Sequence, residues 1–345
     1  MSGIYSLATR ALRVLSPEDA HKAGLLGLRL GLGPRQNGSD DPRLAVSLAG
    51  LDFPNPVGLA AGFDKNADAP DALLNAGFGF VECGAVTPRP QPGNAKPRVF
   101  RLSDDRAVIN RMGFNNNGLE AFKARLQARQ DKAGVVGVNL GANKDSTDRT
   151  GDYALALKEL DGLAGFFTIN ISSPNTPGLR NLQSAEALDE LLARVAGARG
   201  AAPVFLKVAP DIEEGEVDRM VMAVRAHGLN GIIVSNTTLA RPDSLLSKQA
   251  GEAGGLSGRP LFERSTHLLR LFRQAAGPDM ILIGVGGVEN AETAWAKIKA
   301  GANAIQLYSA LVYEGPGLVQ SIKAGLVERL QAEGFSSISE AVGTG

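Results

Sequence analysis

A dense group of polar residues follows a short apolar run near the middle of this chain. The segment Asn170–Gly178 supplies carboxamides and hydroxyls directly after the apolar residues 165–169, and it turns at Pro174. Amides and hydroxyls both donate and accept hydrogen bonds, so a strand that ends in them is typical of a binding or catalytic site. An ordinary helix start is the alternative, because Ser and Asn before Pro often cap helices.

A lysine interrupts another apolar run. Lys207 stands within Val204–Ala209, where its side chain either reaches outward to solvent or points inward to a negative partner. The apolar neighbours on both sides favour an anionic ligand. An ammonium in that position would stabilise negative charge on a reduced flavin ring.

Two glycines lie where a phosphate could bind. Gly286 and Gly287 precede a helix that should begin near Asn290, and such a turn brings free backbone N–H groups close to an anion. In a barrel of eight strands, Tyr308 and Ser309 would lie on the other side of that phosphate. A tight turn without a ligand is the alternative.

Asparagines are frequent at the ends of the apolar runs. A single asparagine in a loop usually forms a turn. Several asparagines brought together at the ends of neighbouring strands would match the donors and acceptors of a ring with amide or imide groups, such as a pyrimidine. The asparagines in question are Asn110, Asn139, Asn170, Asn175 and Asn236.

The composition narrows the class of protein. The 345 residues carry no net charge and 44% are hydrophobic, which suits a globular protein with a large core and argues against a nucleic-acid surface. The single cysteine, Cys83, excludes an internal disulfide, and we expect it in the core. The three histidines show no metal-binding spacing, so we expect no metal site.

The elements that must position these residues alternate regularly. Eight short apolar runs predict strands at Val57–Ala61, Phe78–Val86, Val135–Leu140, Phe166–Ile171, Val204–Val208, Gly231–Ser235, Ile281–Val285 and Ala304–Leu307. Helices are predicted between most of them, for example at Gly118–Gln130, Ser184–Ala198, Glu213–His227, Pro260–Ala276 and Ala291–Ala300.

Eight strand–helix units favour an α/β fold of the (β/α)8 TIM barrel type, with the polar strand ends meeting at one rim. A doubly wound sheet is the competitor, but no G-x-G-x-x-G follows the first strand. Two long loops are predicted at Thr87–Gly118 and Asn236–Arg259, where lids and active-site residues occur.

The first forty residues differ from the rest. Apolar residues from Ile4 to Leu15 recur at helical spacing, and Ser16-Pro17 predicts the start of a second amphipathic helix. With their basic residues, two such helices could lie on an anionic bilayer without crossing it, since no apolar run is long enough to span one. A helical hairpin packed on the barrel is the alternative.

Six motifs are specific enough to compare with known families: Gly58–Lys65, Thr87–Asn94, Asn110–Asn115, Asn170–Asn175, Ser235–Thr238 and Gly254–Gly258. In these motifs, and over about residues 5–330, the chain resembles the dihydroorotate dehydrogenases, specifically the quinone-dependent, membrane-associated class. The resemblance implies oxidation of dihydroorotate to orotate in pyrimidine biosynthesis, with bound FMN and a membrane quinone as acceptor.

The resemblance also implies roles for individual residues. Ser173 would be the general base that removes the C5 proton, while C6 passes hydride to the flavin N5. Its proton relay is not identified by the sequence. The implied substrate contacts are Lys65, Asn110, Arg111, Met112, Gly113, Phe114, Asn170, Asn175, Asn236 and Thr237. The implied FMN contacts are Ala60, Ala61, Gly62, Phe63, Asp64, Ala85, Asn139, Asn170, Lys207, Ser235, Gly258, Gly287, Tyr308 and Ser309.

Two positions depart from the family pattern. Ala85 stands where relatives often have Thr, which removes a hydroxyl from the flavin site. Ser235 replaces another common Thr but keeps the hydroxyl.

The class assignment depends on two features. The soluble class uses a cysteine base after the fourth strand, where this chain has Ser173, and it lacks the N-terminal extension. We therefore expect residues 1–40 to form a helical extension that faces the membrane and encloses a tunnel for the quinone. His21, Arg101 and Tyr308 would lie near the inner end of this tunnel. Residues 41–345 would form the FMN-binding barrel, held on the cytoplasmic side of the cell membrane as a peripheral protein.

Two other functions fit parts of the sequence. A flavin- or phosphate-binding barrel oxidoreductase could act on a different ring, such as a dihydropyrimidine without a carboxylate. A membrane-associated binding module could retain the fold without catalysis. Loss of turnover on exchange of Lys65 would argue against the first alternative, because only a substrate with a carboxylate needs this charge. Bound flavin in the purified protein would argue against the second.

Overall fold

The protein is described from a computed structural model that covers residues 9, 11–176 and 178–345. Its strands, numbered along the chain, are β1 (Val46–Leu48), β2 (Leu51–Phe53), β3 (Val57–Leu59), β4 (Phe80–Val86), β5 (Val99–Leu102), β6 (Ala107–Asn110), β7 (Val135–Leu140), β8 (Phe166–Asn170), β9 (Val204–Val208), β10 (Gly231–Val234), β11 (Gly255–Gly258), β12 (Ile281–Val285) and β13 (Ala304–Leu307). Its helices are α1 (Pro17–Arg29), α2 (Pro70–Asn75), α3 (Leu119–Gln127), α4 (Arg149–Glu159), α5 (Ala185–Ala198), α6 (Val217–Ala226), α7 (Phe262–Ala276), α8 (Ala291–Lys299), α9 (Leu311–Glu314) and α10 (Leu318–Glu333).

Eight parallel strands close into a barrel in the order β3-β4-β7-β8-β9-β10-β12-β13. Each strand pairs with the next one of the barrel along the chain, and β13 pairs back with β3. This is the (β/α)8 TIM barrel that the alternating apolar runs predict, with helices between the strands.

The predicted strands all occur, and four of them have the predicted bounds. The others are shorter, because residues such as Ile171 and Ser235 already belong to the loops that carry polar groups. The helix predicted at Glu213–His227 begins only at Val217, and a 3-10 turn precedes it at Glu214–Glu216. Gly215 within that turn weakens a helix start.

Three phenylalanine rings fill the lower part of the barrel. Phe80 and Phe166 lie 6.0 Å apart between ring centroids, and Phe166 and Phe205 lie 5.7 Å apart. Gly58 and Gly137 leave room for them, since a Cβ atom there would lie 2.2 Å from the Phe80 ring and 2.1 Å from the Phe166 ring. Burial of each such side chain contributes about 1.5–3 kcal/mol to stability.

A polar layer lies directly above the rings. Side chains two residues apart on a strand face the same side, so Glu82, Thr168 and Lys207 follow Phe80, Phe166 and Phe205 into the interior. All three polar side chains are buried. The interior of the barrel therefore changes from apolar to polar between one inward-facing residue of a strand and the next.

The two connections predicted as long loops occur at the expected places, and they also contain a small sheet that the sequence did not predict. Strands β5 and β6 come from the first connection, and β11 from the second pairs with β6 in antiparallel register. Gly254 makes the approach possible with a φ of 132°, and a Cβ atom there would lie 2.4 Å from the Asn110 carbonyl oxygen. The two connections are thus joined into one structure.

The second N-terminal helix begins as predicted. Ser16 caps α1 by accepting a hydrogen bond from the Asp19 backbone at 3.3 Å, and Pro17 occupies its first position. Helix α1 contacts β5 and α2 of the barrel. The first predicted helix falls largely on residues 1–8 and 10, outside the described residues. Within the described ranges, every helix is too short or too polar to cross a lipid bilayer.

Candidate active site

One cavity of about 510 Å³ opens at the carboxyl ends of the barrel strands and extends to helix α1. It brings together most of the site residues expected from the sequence. Those expected at the substrate and lining it are Lys65, Asn110, Met112, Gly113, Phe114, Asn170, Ser173, Asn175, Asn236 and Thr237. Those expected at the flavin and lining it are Ala60, Ala61, Gly62, Phe63, Ala85, Asn139, Lys207, Ser235, Gly258, Gly287, Tyr308 and Ser309, and His21 and Arg101 lie on the side of α1.

Two expected residues use their side chains elsewhere. The Asp64 carboxylate accepts hydrogen bonds from the Asp68 and Ala69 backbone N–H groups, both at 2.8 Å, and so holds the turn before α2. The Arg111 guanidinium lies over the Phe100 ring and donates to Glu252 at 2.7 Å. The structure does not bring either side chain to the cavity wall.

Three asparagines form a chain of hydrogen bonds across the cavity floor. Asn170 Nδ2 donates to Asn139 Oδ1 at 2.8 Å, and Asn236 Nδ2 donates to Asn170 Oδ1 at 3.3 Å. A separate pair, Asn175 and Asn110, is joined at 3.3 Å. All five predicted asparagines therefore lie at one rim, and each amide has a defined orientation.

The two serines of the central segment have different surroundings. The Ser172 hydroxyl is fully buried, donates to Asn170 Oδ1 at 3.1 Å and accepts from Asn236 Nδ2 at 2.9 Å. Ser173 lines the cavity, and its Oγ accepts only a 3.3 Å hydrogen bond from the Asn175 backbone among the described residues. Ser172 is thus committed to the asparagine chain, whereas Ser173 keeps its proton available.

Lys65 supplies a positive charge beside these amides. Its Nζ donates to the Gly62 carbonyl oxygen. Burial, with the charge of Arg98 adding to it, lowers the pKa of Lys65 to about 8. The ammonium is therefore mostly charged at neutral pH, and an anionic group in the cavity would stabilise it further.

A second set of charged and polar groups lies at the bottom of the cavity. Burial lowers the pKa of Lys207, and the nearby Glu82 charge opposes that effect. Glu82 accepts hydrogen bonds from Asn139 at 2.6 Å and from Gln306 at 2.5 Å. Sequence reasoning missed Glu82 and Gln306, although a polar residue within an apolar strand, the signal that identified Lys207, also marks them.

The glycine turn after β12 packs tightly against helix α7. Gly286 and Gly287 have φ values of 108° and 74°, and a Cβ atom on Gly287 would lie 2.4 Å from Phe262. The buried Lys297 donates to Ser265 at 2.6 Å, and Ser265 donates to the Gly286 carbonyl at 3.1 Å. Ser309, opposite this turn, donates to Ser257 at 2.8 Å, another cavity residue that sequence reasoning missed.

Aromatic rings line the cavity near helix α1. Phe63 contacts both His21 and Tyr308 edge to face, at 5.1 and 5.5 Å between centroids. Burial, with the Lys65 charge adding to it, lowers the pKa of His21 to about 3, so its imidazole is neutral. Arg101 donates to the Arg13 carbonyl oxygen at 2.8 Å, which ties the N-terminal segment to β5.

Comparison with known proteins gives a consistent result. The family model described as "Dihydroorotate dehydrogenase" matches residues 43–330. Proteins named dihydroorotate dehydrogenase (quinone) from Brucella melitensis biotype 2 and Brucella ovis are each 55% identical over 349 residues, covering 99% of this chain and 96% of theirs.

Solved structures agree with these sequence matches. The ligand-free dihydroorotate dehydrogenase of Eimeria tenella has a TM-score of 0.92 at 37% identity, covering 95% of this chain and 99% of its own. The same enzyme in complex with ferulenol has a TM-score of 0.91 at 38% identity, covering 95% of both chains. The chain belongs to the dihydroorotate dehydrogenase family.

Proposed function

We propose that this protein oxidises (S)-dihydroorotate to orotate in pyrimidine biosynthesis, with FMN as its flavin and a membrane quinone as electron acceptor. One observation carries the proposal. A single cavity joins the Ser173 hydroxyl, the Lys65 ammonium and the asparagine amides to a buried lysine at one end and to helix α1 at the other. The names of the relatives support the same reaction.

The residues at the bottom of the cavity fit FMN. Gln306 Oε1 is buried without a hydrogen-bond partner among the described residues, and the buried Lys207 lines the same cavity near the Glu82 charge. An N–H group and an electron-rich carbonyl of a flavin ring would satisfy them. Gly286 and Gly287, with Ser309, would hold the phosphate. When bound, FMN supplies the hydride acceptor and the route for electrons to the quinone.

The upper part of the cavity fits a pyrimidine with a carboxylate. The amides of Asn110, Asn175 and Asn236 offer the donors and acceptors that a ring with imide groups needs. Lys65 would pair with the carboxylate in a charge-assisted hydrogen bond. A dihydropyrimidine without a carboxylate would leave this buried charge unpaired, so Lys65 favours dihydroorotate over that alternative.

Ser173 is the proposed general base for the C5 proton. No carboxylate or imidazole of the described residues hydrogen-bonds its Oγ, so the hydroxyl must pass its proton to water or to a neighbour such as Thr176. Ser172 would not replace it, because both of its hydrogen bonds hold the asparagine chain.

The N-terminal segment supports peripheral attachment to a membrane. Leu26 on helix α1 is 53% exposed, and Leu30 and Leu32, just after the end of the helix, are 67% and 70% exposed. Apolar side chains on an amphipathic helix partition into the headgroup region of a bilayer without spanning it. We propose that residues 1–40 form the membrane- and quinone-facing part, that residues 41–345 form the catalytic part, and that the protein lies on the cytoplasmic side of the cell membrane.

An anaerobic mixture of the purified protein with dihydroorotate tests the reaction. Loss of the visible flavin absorbance, restored by adding a soluble quinone, is the expected result. A colourless protein would favour a binding module, and reduction by dihydrouracil as efficient as by dihydroorotate would favour the dihydropyrimidine alternative. Ser173→Ala should keep FMN bound while slowing the reduction by about 10²–10⁴-fold.

Vesicle flotation tests the attachment. The wild-type protein should float with vesicles that contain an anionic phospholipid, and Leu30→Ser together with Leu32→Ser, which removes apolar surface without changing the charge, should remain at the bottom of the gradient. Reduction of the flavin by dihydroorotate should be the same in both proteins. Equal flotation would assign these leucines to packing or to another partner.

A further inference from the structure

Glu82 is a fully buried side chain at the floor of the cavity, and it is hydrogen-bonded on both oxygens. Oε1 accepts from the Asn139 amide at 2.6 Å, and Oε2 accepts from the Gln306 amide at 2.5 Å. A carboxylate can only accept hydrogen bonds, whereas an amide has one accepting end and one donating end. Each neighbouring amide must therefore turn its NH2 group toward Glu82.

This constraint passes along the asparagine chain. Because Asn139 presents its NH2 group to Glu82, its Oδ1 faces Asn170 and accepts at 2.8 Å. Asn170 then presents its own Oδ1 to the Ser172 hydroxyl and to the Asn236 NH2 group. Every step has one donor and one acceptor, so reversing the first amide would place two NH2 groups against each other at the next step.

Glu82 fixes the orientation of Gln306 in the same way as that of Asn139. Gln306 directs its NH2 group to Glu82, so its Oε1 must point elsewhere, and that atom is buried without a partner among the described residues. Gln306 lines the cavity. A buried acceptor without a donor costs about 1–3 kcal/mol, so this end of the cavity selects a molecule that brings an N–H group.

We propose that Glu82 is a positioning residue that sets the donor and acceptor pattern of the whole cavity floor. It turns Gln306 so that an acceptor faces the flavin, and it orients Asn139 and Asn170 so that Asn236 is held toward the substrate. This inference rests on the proposed function, because it takes FMN as the molecule that meets Gln306.

Glu82→Gln is the informative variant, because it changes the hydrogen-bonding character with almost no change of shape. The introduced amide can still accept from Asn139 through its carbonyl oxygen, but its NH2 group then meets the NH2 group of Gln306. Gln306 has no other side-chain partner in the part of the chain that the structure describes, so it turns over and places a donor where the flavin needs an acceptor. The asparagine chain keeps its direction.

The expected result is a selective effect on the flavin. FMN affinity, followed by the rise of flavin fluorescence on release, should fall by about tenfold or more, as expected for the loss of one buried hydrogen bond. The visible spectrum of the bound flavin should shift, and the KM for dihydroorotate should change by less than about threefold. Glu82→Leu removes both acceptors and should also raise the KM by about tenfold, because Asn139 is then free to turn.

Thr168→Val is the matched control. Thr168 lies in the same polar layer, is fully buried, and its hydroxyl has no partner among the described residues. This variant should bind FMN as the wild type does, and circular dichroism melting should show that all the variants fold. If Glu82→Leu does not fold, Glu82→Gln decides alone.

Two outcomes would contradict the inference about Glu82. A wild-type protein that binds FMN and is reduced by dihydroorotate, with Glu82→Gln unchanged in FMN affinity and spectrum, overturns the inference and leaves the proposed function intact. A wild-type protein that binds no FMN overturns both.

Discussion

The Arg98 guanidinium donates two hydrogen bonds to the Glu18 carboxylate, at 2.9 and 3.1 Å, and so fastens helix α1 to the barrel. Arg98 is buried, and its Nη1 donates to the carbonyl oxygens of Pro92 and Asn94. Asn94 in turn donates to the Asn175 carbonyl at 3.1 Å. One short path therefore connects α1 to the loop that follows Ser173.

Glu18→Gln should loosen helix α1, because it leaves the buried Arg98 charge without its anion. We expect faster proteolysis within residues 16–35 and weaker use of quinone, with flavin reduction by dihydroorotate nearly unchanged. The hydrogen bond from Arg98 lowers the pKa of Glu18 below 4.5. The stabilisation is therefore present above pH 4.5 and is lost as the pH falls through the lower folded pKa. Unchanged cleavage at pH 7 would contradict this role.

The KM for dihydroorotate should depend on pH through Lys65. With a pKa of about 8 in the free protein, Lys65 is charged at pH 7 and loses its proton above pH 8. Only the charged form pairs with a carboxylate, so the KM should rise by about tenfold per pH unit above pH 8. Lys65→Met should have a high KM without this dependence. A wild-type KM that stays flat from pH 7 to 9.5 would remove Lys65 from carboxylate binding.

The rate of flavin reduction should rise with pH, because a serine hydroxyl loses its proton with difficulty. Ser173→Cys tests this assignment, since an ordinary thiol has a pKa of about 8.5 and is more easily deprotonated. We expect this variant to keep part of the activity and to reach its plateau at lower pH than the wild type. Stopped-flow reduction at saturating dihydroorotate measures both profiles, and identical profiles would argue against Ser173 as the base.

Arg180 should be needed to hold the loops around the substrate. Its guanidinium donates to the carbonyl oxygens of Ser172 and Thr237, both at 3.1 Å, and to Asp211 at 2.8 Å. A lysine cannot reproduce this planar set of donors. Arg180→Lys should lower kcat/KM by about tenfold, the effect of losing one or two buried hydrogen bonds.

The control is Arg194→Lys, at an exposed ion pair with Asp148. Exposed pairs contribute little, so kcat/KM should stay within about twofold of the wild type. If both arginine variants behaved alike, the three contacts of Arg180 would have no part in positioning the loops.

The fold was predictable because its signals are local. Each barrel strand is a short apolar run, and its polar end is visible next to it, as at Asn170. The sheet formed by β5, β6 and β11 was not predictable in the same way. Its pairing joins segments far apart in the chain, and neither segment has a sequence pattern that predicts which other segment it pairs with.

The site was predictable by residue type more than by orientation. Lys207 was noticeable as a charge in an apolar strand, but whether a long side chain turns inward depends on its neighbours in space. Arg111 shows this limit, since its neighbours Asn110 and Met112 line the cavity while its guanidinium reaches Glu252. Glu82 shows the reverse, since its importance depends on partners in β7 and β13 that are distant in sequence.

The three edge-to-face rings of Phe80, Phe166 and Phe205 have a consequence for the order in which reactants bind. They fill the barrel below the polar layer, so dihydroorotate, orotate and quinone must all arrive and depart at the other end. Two chemically different reactants that share one entrance region must approach the flavin from different sides or take turns. Product inhibition would distinguish these, since orotate competes with quinone when both occupy one site in turn and competes with dihydroorotate when the two sites are separate.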